Sequence, residues 1–369
     1  MTEKQLLEIT PENLRSLTKK IQDGGRITTG EALTVYNDAP LALLSVLATR
    51  IKEEKSGKTV FYNRNFHVEP TNICTFRCKF CSYRKPADSP DAWNYSMDEV
   101  LEQACRYIGS GVTEVHIVGG VHPDHDLYYY AEMIRRIREI LPEITVKAFS
   151  AVELDHMIQK AGLSLEAGLK LLQEAGMETM PGGGAEIFDE TIRAQICGEK
   201  SSSERWLDIH RTAHRLGMPT NATMLYGHIE SVVNRIDHLD RLRRLQDETG
   251  GFNAFIPLKY RNLNNEMSAI GEIPVTEDLR TLAVSRIFLD NFAHLKAYWP
   301  MYGKETTQLA LGFGADDIDG TIDDTTKIYS MAGAKDQKPT MGVSEMRRMI
   351  EEAGYLPVER DSFYRPKQR

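Results

Sequence analysis

Three cysteines fall within eight residues, in the run His67-Val-Glu-Pro-Thr-Asn-Ile-Cys74-Thr-Phe-Arg-Cys78-Lys-Phe-Cys81. The spacing is C-x3-C-x2-C, with no fourth cysteine nearby. Thiolates are soft ligands that suit iron–sulfur clusters or zinc. Three ligands on a four-iron cluster leave one iron open, and an open position is what a metal needs to bind a substrate. Such a position can chelate the amino and carboxylate groups of a methionine. The competing chemistry is a zinc site completed by His67 or Cys105. Of five cysteines, the remaining two, Cys105 and Cys197, stand far away. An odd count with one tight cluster does not read as a disulfide framework.

Other groups with chemical potential sit where a strand would end and a loop begin. His67 and Glu69 alternate onto one face of the segment before the cysteines, so either could line a pocket or move a proton. Val118-Gly119-Gly120-Val121-His122-Pro123 carries a glycine pair, and glycines let backbone approach a ligand closely. His122 is either a catalytic group or a cap for its own loop. Met180-Pro181-Gly182-Gly183-Gly184-Ala185-Glu186 offers a wall without side chains and a carboxylate, Glu186, that could accept ribose hydroxyls. Thr223-Met-Leu-Tyr-Gly227-His228-Ile-Glu230 places His228 where it could face inward or serve structure alone.

The elements that must position these groups follow from periodicity. Residues 1–58 read as helical, with leucines at helical spacing punctuated at Gly24-Gly25 and Asp38-Ala39-Pro40. From about 60 short apolar runs alternate with amphipathic helices. Strands are expected near 65–69, 114–118, 145–149, 178–180, 221–225, 254–257 and 295–298, with helices at 97–108, 129–141, 165–174, 204–216, 232–248 and 276–291. Ser96 and Glu99 form a capping-box pattern at the first of these helices. A helix at 343–353 and a short strand at 355–358 follow. Alternating strands and helices imply a parallel sheet, and this many units favours an α/β fold of the (β/α) barrel type, complete or partial. The expected domains are a helical extension over 1–58, a barrel core over 59–300, and a part over 301–369 that completes or caps it. Catalytic groups belong at the C-terminal ends of barrel strands. The acidic run Asp316-Asp317-Ile-Asp319 reads as a loop with helix-capping roles.

With the first expected strand in front of it, C-x3-C-x-aromatic-C resembles the radical S-adenosylmethionine (SAM) superfamily. The resemblance implies a [4Fe–4S] cluster on Cys74, Cys78 and Cys81, with SAM as cosubstrate. It places Phe80 beside the adenine and the Gly119–Gly120 pair at the methionine amino group. Many members carry a glutamate after that pair, where this chain has Val121. The segment 223–230 is similar to the G-x-I-x-G-x-x-E adenine motif, with Thr223 and Leu225 at the first two landmarks and Gly227 and Glu230 kept. The stretches HVEPTNICTFRCKFCSY, GGVHPD, MPGGGAEIF, WLDIHRTAHRLGMPTNATMLYGHIE and LQDETGGFNAFIPL resemble the group holding the aminofutalosine synthases, the futalosine-cyclising enzymes and the deazaflavin-cofactor synthases. The HR-x-AH-x-LGM and LQDETGGF segments are most similar to the first of these.

That branch implies 3-[(1-carboxyvinyl)oxy]benzoate as substrate and addition of a 5'-deoxyadenosyl radical to its vinyl carbon. It also implies a one-electron donor such as flavodoxin or ferredoxin. The hydrogen-abstracting siblings remain the alternative. Two substrate carboxylates call for arginine or lysine; candidates are Arg77, Arg193, Lys259 and Arg261, with Arg261 foremost. Tyr298 and Trp299 could close the far side.

Composition excludes other classes. The 369 residues carry 45 lysines plus arginines against 53 acidic residues, a formal charge of −8, with no basic block for nucleic acid. No apolar run reaches the length of a membrane span. The charged start MTEKQLLEITPENL lacks a secretory core, so a cytoplasmic protein is expected.

Overall fold

The computed structural model describes residues 6, 8, 10–323, 327–333 and 340–367. Parts of the expected N-terminal extension (1–5, 7 and 9) and of the C-terminal part (324–326, 334–339, 368–369) lie outside the described residues. Helices Arg15–Gln22, Thr29–Asp38 and Leu41–Ser56 come first. Thr28 opens the second with a capping box: its hydroxyl accepts from the Glu31 amide while the Glu31 carboxylate accepts from the Thr28 amide. Lys52, on the third, is fully buried and donates to Leu311 O at 2.9 Å, tying these helices to the body.

Among the described residues ten strands follow: β1 (Thr59–Val68), β2 (Glu114–Ile117), β3 (Thr145–Ala148), β4 (Met177–Thr179), β5 (Thr220–Tyr226), β6 (Phe252–Lys259), β7 (His294–Leu295), β8 (Asp317–Asp323), β9 (Thr340–Met341) and β10 (Leu356–Glu359). Helices connect β1 through β7, as parallel pairing requires. One sheet has the order β4-β3-β2-β1-β8-β9, with β10 also on β1, and the other has β5-β6-β7. Every pair is parallel except β8–β9. Single parallel bridges, Met180–Thr220 and Lys296–Asp317, span the two seams. The architecture is the expected α/β barrel, with a ladder interrupted twice rather than continuous.

Residues 360–364 cross the N-terminal ends of the strands. Arg360 pairs with Asp317 at 2.6 Å, Ser362 Oγ donates to Glu114 at 2.6 Å, Asn253 Nδ2 donates to Ser362 O, and Tyr364 stacks on His294 at 3.7 Å. This segment floors the barrel. It also explains why the acidic run is not the expected capping loop. Asp317 and Asp319 belong to strand β8, and the run's three carboxylates are buried because each meets a distant cation: Asp316 meets Arg286 at 2.5 Å, Asp317 meets Arg360, and Asp319 meets Lys296. Buried charge is tolerated when so paired. Among the described residues no helix is long and apolar enough to cross a membrane.

Candidate active site

The segment after β1 is pinned from several sides. Asn72 N donates to Trp93 O, Lys85 N to Asn72 O at 2.8 Å, Thr75 N to Val121 O at 2.9 Å and Lys79 N to Ile196 O at 2.8 Å. Tyr83, nearly fully buried, donates its hydroxyl to Thr71 O at 3.0 Å, and Ser82 Oγ reaches Leu263 O at 2.6 Å. Backbone polar groups of an irregular loop thus find partners, which is what allows it to sit against the barrel top.

The glycine pair makes this packing possible. A Cβ on Gly119 would lie 2.8 Å from Thr71 O, and one on Gly120 would lie 2.3 Å from Ile73 O. Gly120 N donates to Thr71 O at 2.7 Å. The close approach these glycines permit in the structure is that of the cysteine loop's own backbone.

A cavity of about 300 Å³ opens at the C-terminal ends of the strands. Cys74, Cys78 and Cys81 line one wall with Phe80, Gly119 and Gly120; Glu186, Thr223 and Arg261 also line it. Nine of the thirteen site residues expected from sequence are therefore brought together, and His67, Glu69, Gly227 and His228 are not on its wall. His67 is buried inside the barrel beside His116, ring centroids 4.8 Å apart. Glu69 accepts from Lys327 N at 3.1 Å. His228 has a fully buried side chain, 3.2 Å from Glu230 and 3.1 Å from Leu225 O. Gly227 holds a left-handed φ of 87°, closed by Glu230, whose carboxylate accepts from the amides of Gly227 and His228 and pairs with Arg235. In this chain that glutamate secures the turn.

The remaining expectations separate cleanly. Arg77 is exposed. Arg193 is buried and spent on carbonyls, donating to Ala185 O at 2.6 Å and Ser201 O at 2.5 Å. Lys259 is off the cavity wall, 3.0 Å from Asp278. His122 Nδ1 accepts from Asp124 N, so it caps its own loop. Tyr298 lines the cavity, whereas Trp299 donates into the core to Gly320 O.

Sequence reasoning missed the cavity's charged floor. Lys147 meets Glu114 at 2.5 Å and Lys296 meets Asp319, and all four side chains are buried yet line the cavity. Burial alone would raise the Glu114 carboxyl, but Lys147, Lys296 and Arg360 outweigh it and hold it well below its ordinary value. Burial keeps His116 neutral, reinforced by His67 and Lys147. Alternation would have pointed at Glu114 and His116, two residues apart on β2 with Val118 after them. Glu153 was also missed. It accepts from Gly119 N at 3.0 Å and from Ser150, and burial raises its carboxyl to about 7. Its signal was the capping box Ser150–Glu153 opening helix Ala151–Lys160. Glu186 pairs with Lys200 at 2.6 Å, and Lys200 lies 5.1 Å over the Phe80 ring. Glu186 and Asp319, both on the cavity wall, hold positive φ values of 47° and 72°; such strain gathers at functional sites.

The donor set can be tested against a metal. Burial pushes the thiols of Cys74 and Cys78 up, so they ionise when a metal takes the proton's place. Among the described residues no three His, Cys, Asp or Glu side chains gather round one ion. All three thiols line the cavity, and three soft donors without a fourth ligand on that wall suit a cluster with one open iron better than a single zinc, which wants four. Neither Cys105, exposed on its helix, nor His67 stands with them on that wall.

The family profile of the Radical SAM superfamily matches residues 68–242, and that of the CofH/MqnC C-terminal region matches 249–369. An aminodeoxyfutalosine synthase of Thermus thermophilus is 43% identical over 364 residues, covering 97% of this chain and 96% of its own. This chain belongs to the radical SAM superfamily. A cyclic dehypoxanthine futalosine synthase of Streptomyces coelicolor is 36% identical over 356 residues, covering 95% of this chain and 88% of its own. The solved structure of the FeFe-hydrogenase maturase HydG from Carboxydothermus hydrogenoformans aligns with a TM-score of 0.76 at 20% identity, over 96% of this chain and 81% of that one. At that identity it shows the fold. The chain is a radical SAM enzyme, of a superfamily that uses a [4Fe–4S] cluster and SAM.

Proposed function

We propose that this chain is an aminofutalosine synthase. The reading is carried by 43% identity, nearly end to end, with the Thermus thermophilus enzyme, against 36% for the futalosine-cyclising relative. The substrate would be 3-[(1-carboxyvinyl)oxy]benzoate. Cys74, Cys78 and Cys81 would hold a [4Fe–4S] cluster, which would supply the electron for cleavage of SAM to methionine and a 5'-deoxyadenosyl radical. The 5' carbon bonds to the terminal vinyl carbon, the aryl group moves from oxygen to carbon, and the carboxyl group leaves as carbon dioxide. The entering electron leaves on the carboxyl fragment as the carbon dioxide radical anion, which would return it to the cluster, so that the net reaction turns SAM and the enol ether into 6-amino-6-deoxyfutalosine, methionine and carbon dioxide with no net electron consumed. The entering electron would come from a flavodoxin- or ferredoxin-type donor. A cytoplasmic setting, where thiols stay reduced, fits five free cysteines.

The chain's own residues would orient and exclude. A carbon radical must meet the double bond at near-contact distance, so positioning dominates. Ile256, Leu258, Tyr298 and Met301 form a small apolar cluster on the cavity wall that suits an aryl ring. The floor of residues 360–364 keeps bulk water from below. The test is an anaerobic turnover with dithionite, SAM and the enol ether, with nucleosides resolved by mass. An adduct retaining the adenosyl group, with one carboxyl carbon lost, is expected. If 5'-deoxyadenosine were the sole nucleoside product, a hydrogen-abstracting sibling would replace this reading.

A further inference from the structure

Among the described residues the cavity wall carries five lysine and arginine side chains: Arg84, Lys147, Lys200, Arg261 and Lys296. Four already have a carboxylate. Lys147 meets Glu114, Lys200 meets Glu186, Arg261 meets Glu272 at 3.2 Å, and Lys296 meets Asp319. Among the described residues Arg84 forms no ion pair and no side-chain hydrogen bond, although it is only partly exposed. A partly exposed guanidinium on a cavity wall, with no counter-charge of its own, is free to take its anion from a ligand.

Its backbone is fixed on both sides. Tyr83 is anchored to Thr71 O and Ser82 to Leu263 O, while Lys85 N donates to Asn72 O and Lys85 O accepts from Cys74 N. Arg84 thus projects from a pinned stretch three residues past Cys81. Little backbone ordering is left to do on binding. A guanidinium presents paired donors that match a planar carboxylate.

We propose that Arg84 is the anchor for a carboxylate of the substrate, an inference that rests on the dicarboxylate substrate proposed above. It replaces the sequence-derived candidates: Arg77 lies in solvent, Arg193 and Lys259 are committed elsewhere, and Arg261 shares its charge with Glu272.

The experiment is equilibrium binding to reconstituted, SAM-loaded, unreduced holoenzyme, in which no turnover occurs. Wild type, Arg84→Gln and Arg84→Lys are compared for three ligands: the dicarboxylate, 2-phenoxyacrylate without the ring carboxylate, and 3-vinyloxybenzoate without the enol carboxylate. Arg84→Gln is expected to bind the dicarboxylate about 10- to 100-fold more weakly, the range of a hydrogen bond to a charged group. Arg84→Lys, which keeps charge without the fork, should fall between. For the analogue missing the contacted carboxylate, all three proteins should bind alike. SAM affinity and iron content should match wild type; if Arg84→Gln loads iron poorly, Arg84→Lys carries the comparison. Unchanged dicarboxylate affinity overturns the assignment. So does a loss that persists with both analogues, or a loss confined to SAM, which would place Arg84 on the carboxylate of the cosubstrate. If wild type itself fails to bind the dicarboxylate, the substrate reading falls and takes this proposal with it. Wild-type binding with an indifferent Arg84→Gln removes only the proposal.

Discussion

Gly120→Ala perturbs the cysteine loop while leaving every cysteine in place. The added methyl would sit 2.3 Å from Ile73 O and 2.8 Å from Ile73 C. An ordinary contact needs about 3.5 Å, so the Ile73 carbonyl must retreat by roughly 1 Å. Neither side is loose: Gly120 N is held on Thr71 O at 2.7 Å, and Thr75 N on Val121 O at 2.9 Å. Overpacking of this kind costs about 1–3 kcal/mol, enough to shift a loop equilibrium about 5- to 150-fold. The strain falls beside Cys74 rather than in the core, so a folded protein with a displaced loop is expected. The assay is iron and sulfide per chain after anaerobic reconstitution, with SAM affinity and thermal melting on the same samples. Gly120→Ala should lose iron and SAM binding while melting within a few degrees of wild type. Gly30→Ala is the control: it sits in helix Thr29–Asp38 with nothing within 4 Å of its new methyl. It should gain roughly 0.5 kcal/mol. Wild-type iron content in Gly120→Ala would refute the argument that the pair is needed to seat the loop.

Three further outcomes are expected. Cys74→Ala, Cys78→Ala and Cys81→Ala should each abolish methionine release; full activity in any one would remove it from the cluster. Lys147→Met alone takes from the buried Glu114 carboxylate the nearest of its three cations and should cost up to about 3–5 kcal/mol in urea unfolding, whereas Lys147→Met with Glu114→Gln should recover most of it; equal losses would show that the pair is not coupled. Burial lowers His67 and His214 to about 4 and His238 to about 3. Their folded values lie below the unfolded value near 6.5, so their contribution is complete above pH 6.5 and drains away as pH falls toward 4. Each is worth about 3 kcal/mol over that window; a urea midpoint flat from pH 6.5 to 4.5 would contradict it.

Much of the barrel's scaffold was legible because helical and strand periodicities alternate from β1 to β7. Helix Ala151–Lys160 was missed, although Ser150 and Glu153 announce it, because its buried face carries Glu153 and Asp155 alongside its apolar residues. Strand β8 was hidden for a related reason. Its aspartates read as surface, and only the distant Arg360 and Lys296 make their burial tolerable. Pairing of this kind joins residues far apart in the chain and leaves no local periodic trace. At the site, fixed spacing made the cysteines and glycines readable. The positively charged candidates were not, because Arg193 and Arg84 look alike in a string. Only the folded chain shows that one is surrounded by carbonyls and that the other lines the cavity.

The floor laid by residues 360–364 also sets an order of assembly. β1 has β2, β8 and β10 as neighbours, so an early strand of the chain waits for late ones. During synthesis the loop that carries the cysteines can meet its partners Ile196, Leu263 and Glu266 before β8 has left the ribosome. The vessel thus acquires its rim first and its base last. Until the base is laid, Glu114 and Lys147 sit in a tube open at the bottom, and iron loaded at that stage would stand over a leaking chamber.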